Sequence, residues 1–152
     1  MLKVPDLDED QKWYRASFRI VGDLLQPEEI SEILGLQATR SARKGEDSGT
    51  LLGKPSRISF WMMECPPDFR QPMEDQLKWL LERLEPKADS ITALADRFSV
   101  EFFCGFSSGN GQGGFELNCT LLARLANLRA FLVLDLYPPS GESHQEGGTA
   151  AE

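Results

Sequence analysis

The hydrophobic period of this chain switches from two to about 3.6 and back again, twice, and that switching decides what it can fold into. In residues 13–21, Tyr14, Ala16, Phe18 and Ile20 point one way and Trp13, Arg15, Ser17 and Arg19 the other. That is the pattern of a half-buried strand. Pro27 opens a short helix with Glu28 and Glu29 in its first turn, Ile30, Ile33 and Leu34 as its buried stripe, and Gly35 as its stop. Residues 36–56 read as a long polar loop. A second strand is expected at 57–64, with Ile58, Phe60 and Met62 on its inner face and Pro66-Pro67 ending it.

The period then becomes helical. Met73, Leu77, Leu80, Leu81 and Leu84 share half of a helical wheel, and a further helical piece with Ile91, Leu94 and Ala95 follows Glu85-Pro86. Val100, Phe102 and Cys104 mark the inner face of a third strand, and 107–114 is a glycine loop. Leu121, Leu122, Leu125 and Leu128 stripe another helix before a last strand at 130–137, whose Leu132 and Leu134 are expected to face the helices. The order is β-α-β, a helical connection, then β-α-β. It predicts an α+β domain, a ferredoxin-like sheet of four antiparallel strands with helices on one face.

The 152 residues suit one such domain at 12–139, between a disordered N-terminal arm (1–11) and a disordered acidic tail (140–152). The net charge of −8 divides unevenly. The arm and tail hold seven acids against Lys3, while 12–139 holds 15 Lys/Arg against 17 Asp/Glu. A nearly neutral body argues against a nucleic-acid groove, which needs a basic field. The longest apolar run, 130–134, has five residues, far short of a membrane span, and no secretory leader opens the chain. Cys65, Cys104 and Cys119 share no metal spacing and cannot all pair, which points to a reducing cytoplasm. The one histidine, His144, lies in the tail, so a histidine triad or a histidine metal cage is excluded. No cofactor, metal or catalytic residue is expected, and the chain reads as a non-enzyme.

Five stretches taken in order carry a family resemblance: LQPEEISEILGL (25–36), TRSARKGE (39–46), EDQLKWLLERLEPKAD (74–89), FFCGFSSGNGQGGFEL (102–117) and LLARLANLRAFLVLDLY (121–137). Together they resemble the bacterial domain-of-unknown-function 4279 family from about Tyr14 to Tyr137. The pattern departs at Asn118-Cys119-Thr120, where the family carries a Ser/Thr cap and an acidic first turn. The resemblance implies no activity.

Two sites are candidates. Strand alternation places Arg15, Arg19, Arg57, Trp61, Phe103, Asp135 and Tyr137 on the sheet face away from the helices. Aromatics and arginines together on an open face suit a protein partner or a second copy of the chain, such as a homodimer. The basic-Gly-aromatic run of RNA-binding sheets is absent, and the third strand carries Glu101. By analogy, an immunity-type protein that blocks a basic toxin also suits a small acidic chain. The alternative is a small-anion or nucleotide site. Residues 109–114 match GxGxxG at Gly109, Gly111 and Gly114, and Arg40, Arg43 and Lys44 form the basic cluster. Against it, Phe115-Glu116-Leu117 separates the glycines from the next helix, which weakens the dinucleotide pattern.

Overall fold

The computed structural model describes residues 3–47 and 54–139. Its elements run β1 (Lys12–Gly22), α1 (Pro27–Leu34), β2 (Arg40–Ala42), β3 (Ser59–Glu64), α2 (Met73–Leu84), a 3₁₀ turn (Glu85–Lys87), α3 (Ala88–Leu94), β4 (Ser99–Ser108), α4 (Cys119–Asn127) and β5 (Phe131–Tyr137). The expectations for 140–152, and for Met1 and Leu2 of the arm, lie outside the described residues. Residues 3–11 are irregular apart from a turn, in which Gln11 N–H donates to the Asp8 carbonyl at 2.9 Å.

The architecture is α+β, but the sheet differs from the one expected. It has five strands in the order β2-β3-β1-β4-β5, and β5 runs parallel to β4, so it is mixed. The four-stranded, wholly antiparallel expectation is corrected on both counts. The extra strand is β2, inside the stretch that reads as loop, paired antiparallel to β3 through Arg40↔Met62 and Ala42↔Phe60. The β4–β5 pair is parallel because α4 crosses over between them, a return that a parallel neighbour requires.

The helices close one face of the sheet. Phe18, Ile20, Val100, Phe102 and Cys104 meet Ile30 and Leu34 of α1, Leu77, Leu80, Leu81 and Leu84 of α2, Ile91 and Leu94 of α3, and Leu121 and Leu125 of α4. Gly35 ends α1 in the left-handed region at φ +62°, which a side chain would strain. Asn118 serves α4 where the family pattern carries Ser/Thr: its Oδ1 accepts from Leu121 N–H at 2.8 Å. Burial pushes the Cys65 thiol up to about 11 and the Cys104 thiol up to about 12, so both behave as small apolar residues.

A buried amide side chain completes this core. Pro66 and Pro67 follow the end of β3, while β1 continues beyond it toward Lys12. Gln76 of α2, 1% exposed, takes the place of the missing strand. Its Oε1 accepts from Ala16 N–H at 2.9 Å, and its Nε2 donates to the Tyr14 and Gln71 carbonyls at 2.9 and 2.8 Å. The β1 edge is thereby satisfied where no backbone reaches it.

Glu85 accepts from Arg124 Nε at 3.1 Å, tying the α2–α3 turn to α4. This bond holds the Glu85 carboxyl below its ordinary value of 4.5. A depressed carboxyl pKa contributes stability that is present above 4.5 and lost as pH falls through the folded value. Glu85→Gln should therefore lower the melting temperature near neutrality and converge with the wild type in acid. Parallel melting curves across that range would refute the linkage.

Candidate functional site

The face without helices is built by alternation across five strands. Trp13, Arg15, Ser17, Arg19 and Val21 of β1 align through the ladder with Glu101, Phe103, Gly105 and Ser107 of β4. Phe131, Val133, Asp135 and Tyr137 of β5 extend these rows on one side, and Phe60, Met62 and Glu64 of β3 on the other. Arg40 of β2 joins through its pairing with Met62.

Of the residues placed on this face from sequence, Arg15, Arg19, Phe103, Asp135 and Tyr137 lie there. Trp61 does not. Register decides it: Trp61 pairs with Ile20, and Ile20 faces the helices, so Trp61 is fully buried in the core. Its ring meets Phe18 edge-on at 6.2 Å, and its Nε1 donates to Ser31 Oγ of α1 at 2.9 Å. The whole of β3 is thus turned over relative to expectation, and Phe60 and Met62 belong to the open face. Arg57 precedes β3 and is exposed at the rim of the face.

The arginines of this face are mostly neutralised within it. Arg19 Nε lies 2.7 Å from Glu101 Oε2, and its guanidinium carbon stacks over Phe103 at 4.1 Å. Arg15 and Arg40 share Glu64 at 3.5 and 3.6 Å. Trp13 and Tyr137 close one end edge-to-face at 5.7 Å. Gly105 stands between Arg15 and Asp135 in the same row, so a gap without side chain separates them.

At the other end is a cleft of ≈ 480 Å³ over Val21, Phe60 and Met62, with Arg40, Lys54, Arg57 and the Arg19–Glu101 ion pair around it. Neither Lys54 nor Arg57 has an ion-pair partner among the described residues. Arg40 Nε is buried with no hydrogen-bond partner among the described residues, although Nη2 of the same group lies 3.5 Å from Met62 Sδ. A buried guanidinium nitrogen beside an apolar floor and two unpaired cations suits an acidic group carried on an apolar neighbour. Sequence reasoning missed the cleft because it depends on β2, which brings Arg40 here.

The second candidate site is not brought together. Arg43 is held by Gln26 at 2.8 Å and Glu28 at 2.6 Å, and Lys44 Nζ lies 3.8 Å from Asp23. Both stand beside α1, away from the sheet-face position of Arg40. Gly109, Gly111 and Gly114 lie beyond the opposite end of β1, since Lys12 pairs with Ser108 while Val21 pairs with Phe60. Gly109 has a packing role there: a Cβ would collide with the Asp8 carbonyl oxygen. Among the described residues, no three His, Cys, Asp or Glu converge as a metal site, and no helix is long and apolar enough to cross a membrane.

Residues 11–139 match one family model, described as Domain of unknown function (DUF4279). No curated protein and no solved structure matches the chain.

Proposed function

From a chain that belongs to the DUF4279 family no activity can be carried over, and we propose from its geometry that it is a non-enzymatic interaction module whose open sheet face seats a protein partner. The observation that carries this reading is the cleft where Lys54 and Arg57, without ion-pair partners among the described residues, stand beside Arg40, which shares Glu64 with Arg15. The partner it suits offers an Asp or Glu beside an aliphatic or aromatic residue that packs on Val21, Phe60 and Met62. A basic toxin fits this face poorly, because Arg15, Arg19, Arg40 and Arg57 stand there against Glu64, Glu101 and Asp135. The acidity of the chain lies at its ends. We also read β1 to β4, in the order β2-β3-β1-β4, as a ferredoxin-like unit to which α4 and β5 add a fifth strand.

Peptide display on the whole protein, with Lys54→Glu/Arg57→Glu as the comparison, tests the site. Neither side chain holds an ion pair among the described residues, so the double variant should fold. Selected peptides should carry the acidic-apolar pair and bind the wild type at least about tenfold more tightly. Equal binding to both proteins would remove the cleft from the reading. The volume of ≈ 480 Å³ also suits a small organic anion. That second reading predicts a melting-temperature rise with carboxylates or nucleotides that the double variant loses, with no peptide selected.

A further inference from the structure

The far edge of the sheet carries a different surface. On the helix side of β5, Leu132, Leu134 and Leu136 are 39, 54 and 68% exposed. Phe131 at the start of the strand is 66% exposed, and Leu122 on α4 is 43% exposed. Register places Leu132 beside Phe102 and Leu134 beside Cys104, so these leucines do face the helix layer as expected. They stay uncovered because α4 turns Leu121, Leu125 and Leu128 into the core and does not extend over the last strand. In the described sheet β5 pairs with β4 alone, which leaves a line of backbone N–H and C=O groups on its outer side. An edge that is both apolar and unpaired is covered in soluble proteins.

Among the described residues no other segment covers this strand. Residues 140–152 contain no aliphatic residue larger than alanine and no Phe, Tyr or Trp. Residues 48–53 hold Leu51 and Leu52 but are tethered between Asp47 and Pro55, which bridge to each other next to β2 and β3. From β2 to β5 the sheet spans four strand spacings, about 19 Å.

We infer that β5 is the contact through which two copies of this chain associate, strand against antiparallel strand about a two-fold axis at Leu134. The strand is complementary to itself in that register. Leu134 meets its own copy, Leu132 meets Leu136, Phe131 meets Tyr137 and Val133 meets Asp135, so no two like charges face each other. The paired leucines form one row under an extended ladder, with the two Leu122 side chains beside it. Full cover of Leu122, Phe131, Leu132, Leu134 and Leu136 on both faces of the strand removes on the order of 500 Å² of apolar surface per chain, about 1,000 Å² in the pair, the threshold for a specific interface. This contact is separate from the open-face cleft, and either can fail without the other.

Sedimentation velocity across a dilution series tests the pairing. The wild type should show the mass of two chains, falling twofold on dilution. Leu134→Lys and Leu134→Glu each set like charges against each other at the axis, and each alone should have the mass of one chain. An equimolar mixture should regain the two-chain mass, because the introduced ammonium then faces the introduced carboxylate. Circular dichroism checks that both variants fold; should Leu134 variants not fold, Leu136→Lys, at the most exposed position of the row, takes their place with the same expected halving of mass. A wild type of one-chain mass at every concentration overturns the inference. So does a dimer that survives these substitutions, or one that is lost on truncation after Pro139.

Discussion

Trp61→Ala should lower the stability of the protein by about 3–5 kcal/mol, the range for deleting a fully buried large aromatic. The indole fills the space between β3 and α1, touching Phe18 edge-on and bonding Ser31 Oγ through its ring N–H. Its removal leaves a cavity and an unpaired serine hydroxyl. Trp61→Phe, which keeps most of the ring and loses the N–H bond, should cost less, with about 1 kcal/mol from the bond itself. Urea midpoints of the three proteins measure both effects. Peptide binding at the open face, assayed where the variants remain folded, should be unchanged. A Trp61→Ala protein with wild-type stability and lost binding would reverse this assignment and put the indole on the other side of the sheet.

Gln76→Leu has a comparable expected effect from a different cause. Leucine is close to isosteric and leaves almost no cavity, so the loss is one of hydrogen bonding. Ala16 N–H and the Tyr14 and Gln71 carbonyls would be left without their partner inside the core. Buried unpaired groups cost about 1–3 kcal/mol each, so a destabilisation of about 3 kcal/mol is expected, with amide exchange at Ala16 accelerated beyond the global change. An unaltered urea midpoint would show that water replaces the side chain at no cost.

These two residues mark where the sequence is legible and where it is not. Faces of β1 and β4 are readable because polar residues occupy one parity, as with Arg15, Ser17 and Arg19 against Ala16, Phe18 and Ile20. In β3 the run Phe60-Trp61-Met62-Met63 is apolar on both parities, so alternation cannot choose, and only pairing with β1 does. β2 is three residues, Arg-Ser-Ala, with no apolar alternation to announce it. Gln76 looks like a solvent-facing helix position, because what demands it is backbone from another element some sixty residues away. The leucine stripe of α2 was readable, as was the open face at Arg15, Arg19, Phe103, Asp135 and Tyr137, but Leu122 of α4 and Ile33 of α1, expected in buried stripes, lie at the margins of their helices' inner faces and are exposed. The cleft was not, since it forms only when the hidden strand brings Arg40 to Met62.

The central position of β1 has a consequence for how the chain is made. Its first residue, Lys12, pairs with Ser108, and its last, Gly22, pairs with Ser59. During synthesis the strand must wait for β3 on one side and much longer for β4 on the other. Until then Phe18 and Ile20 remain without most of their final neighbours, and one ladder edge of β1 stays open. Pairings of such high sequence separation form slowly and leave transient edges prone to aggregation. Refolding from denaturant should therefore be limited by the docking of β4 on β1, with the helices α1 and α2 formed earlier. A chaperone that holds nascent chains would act on this protein over the interval between the emergence of residue 22 and that of residue 108.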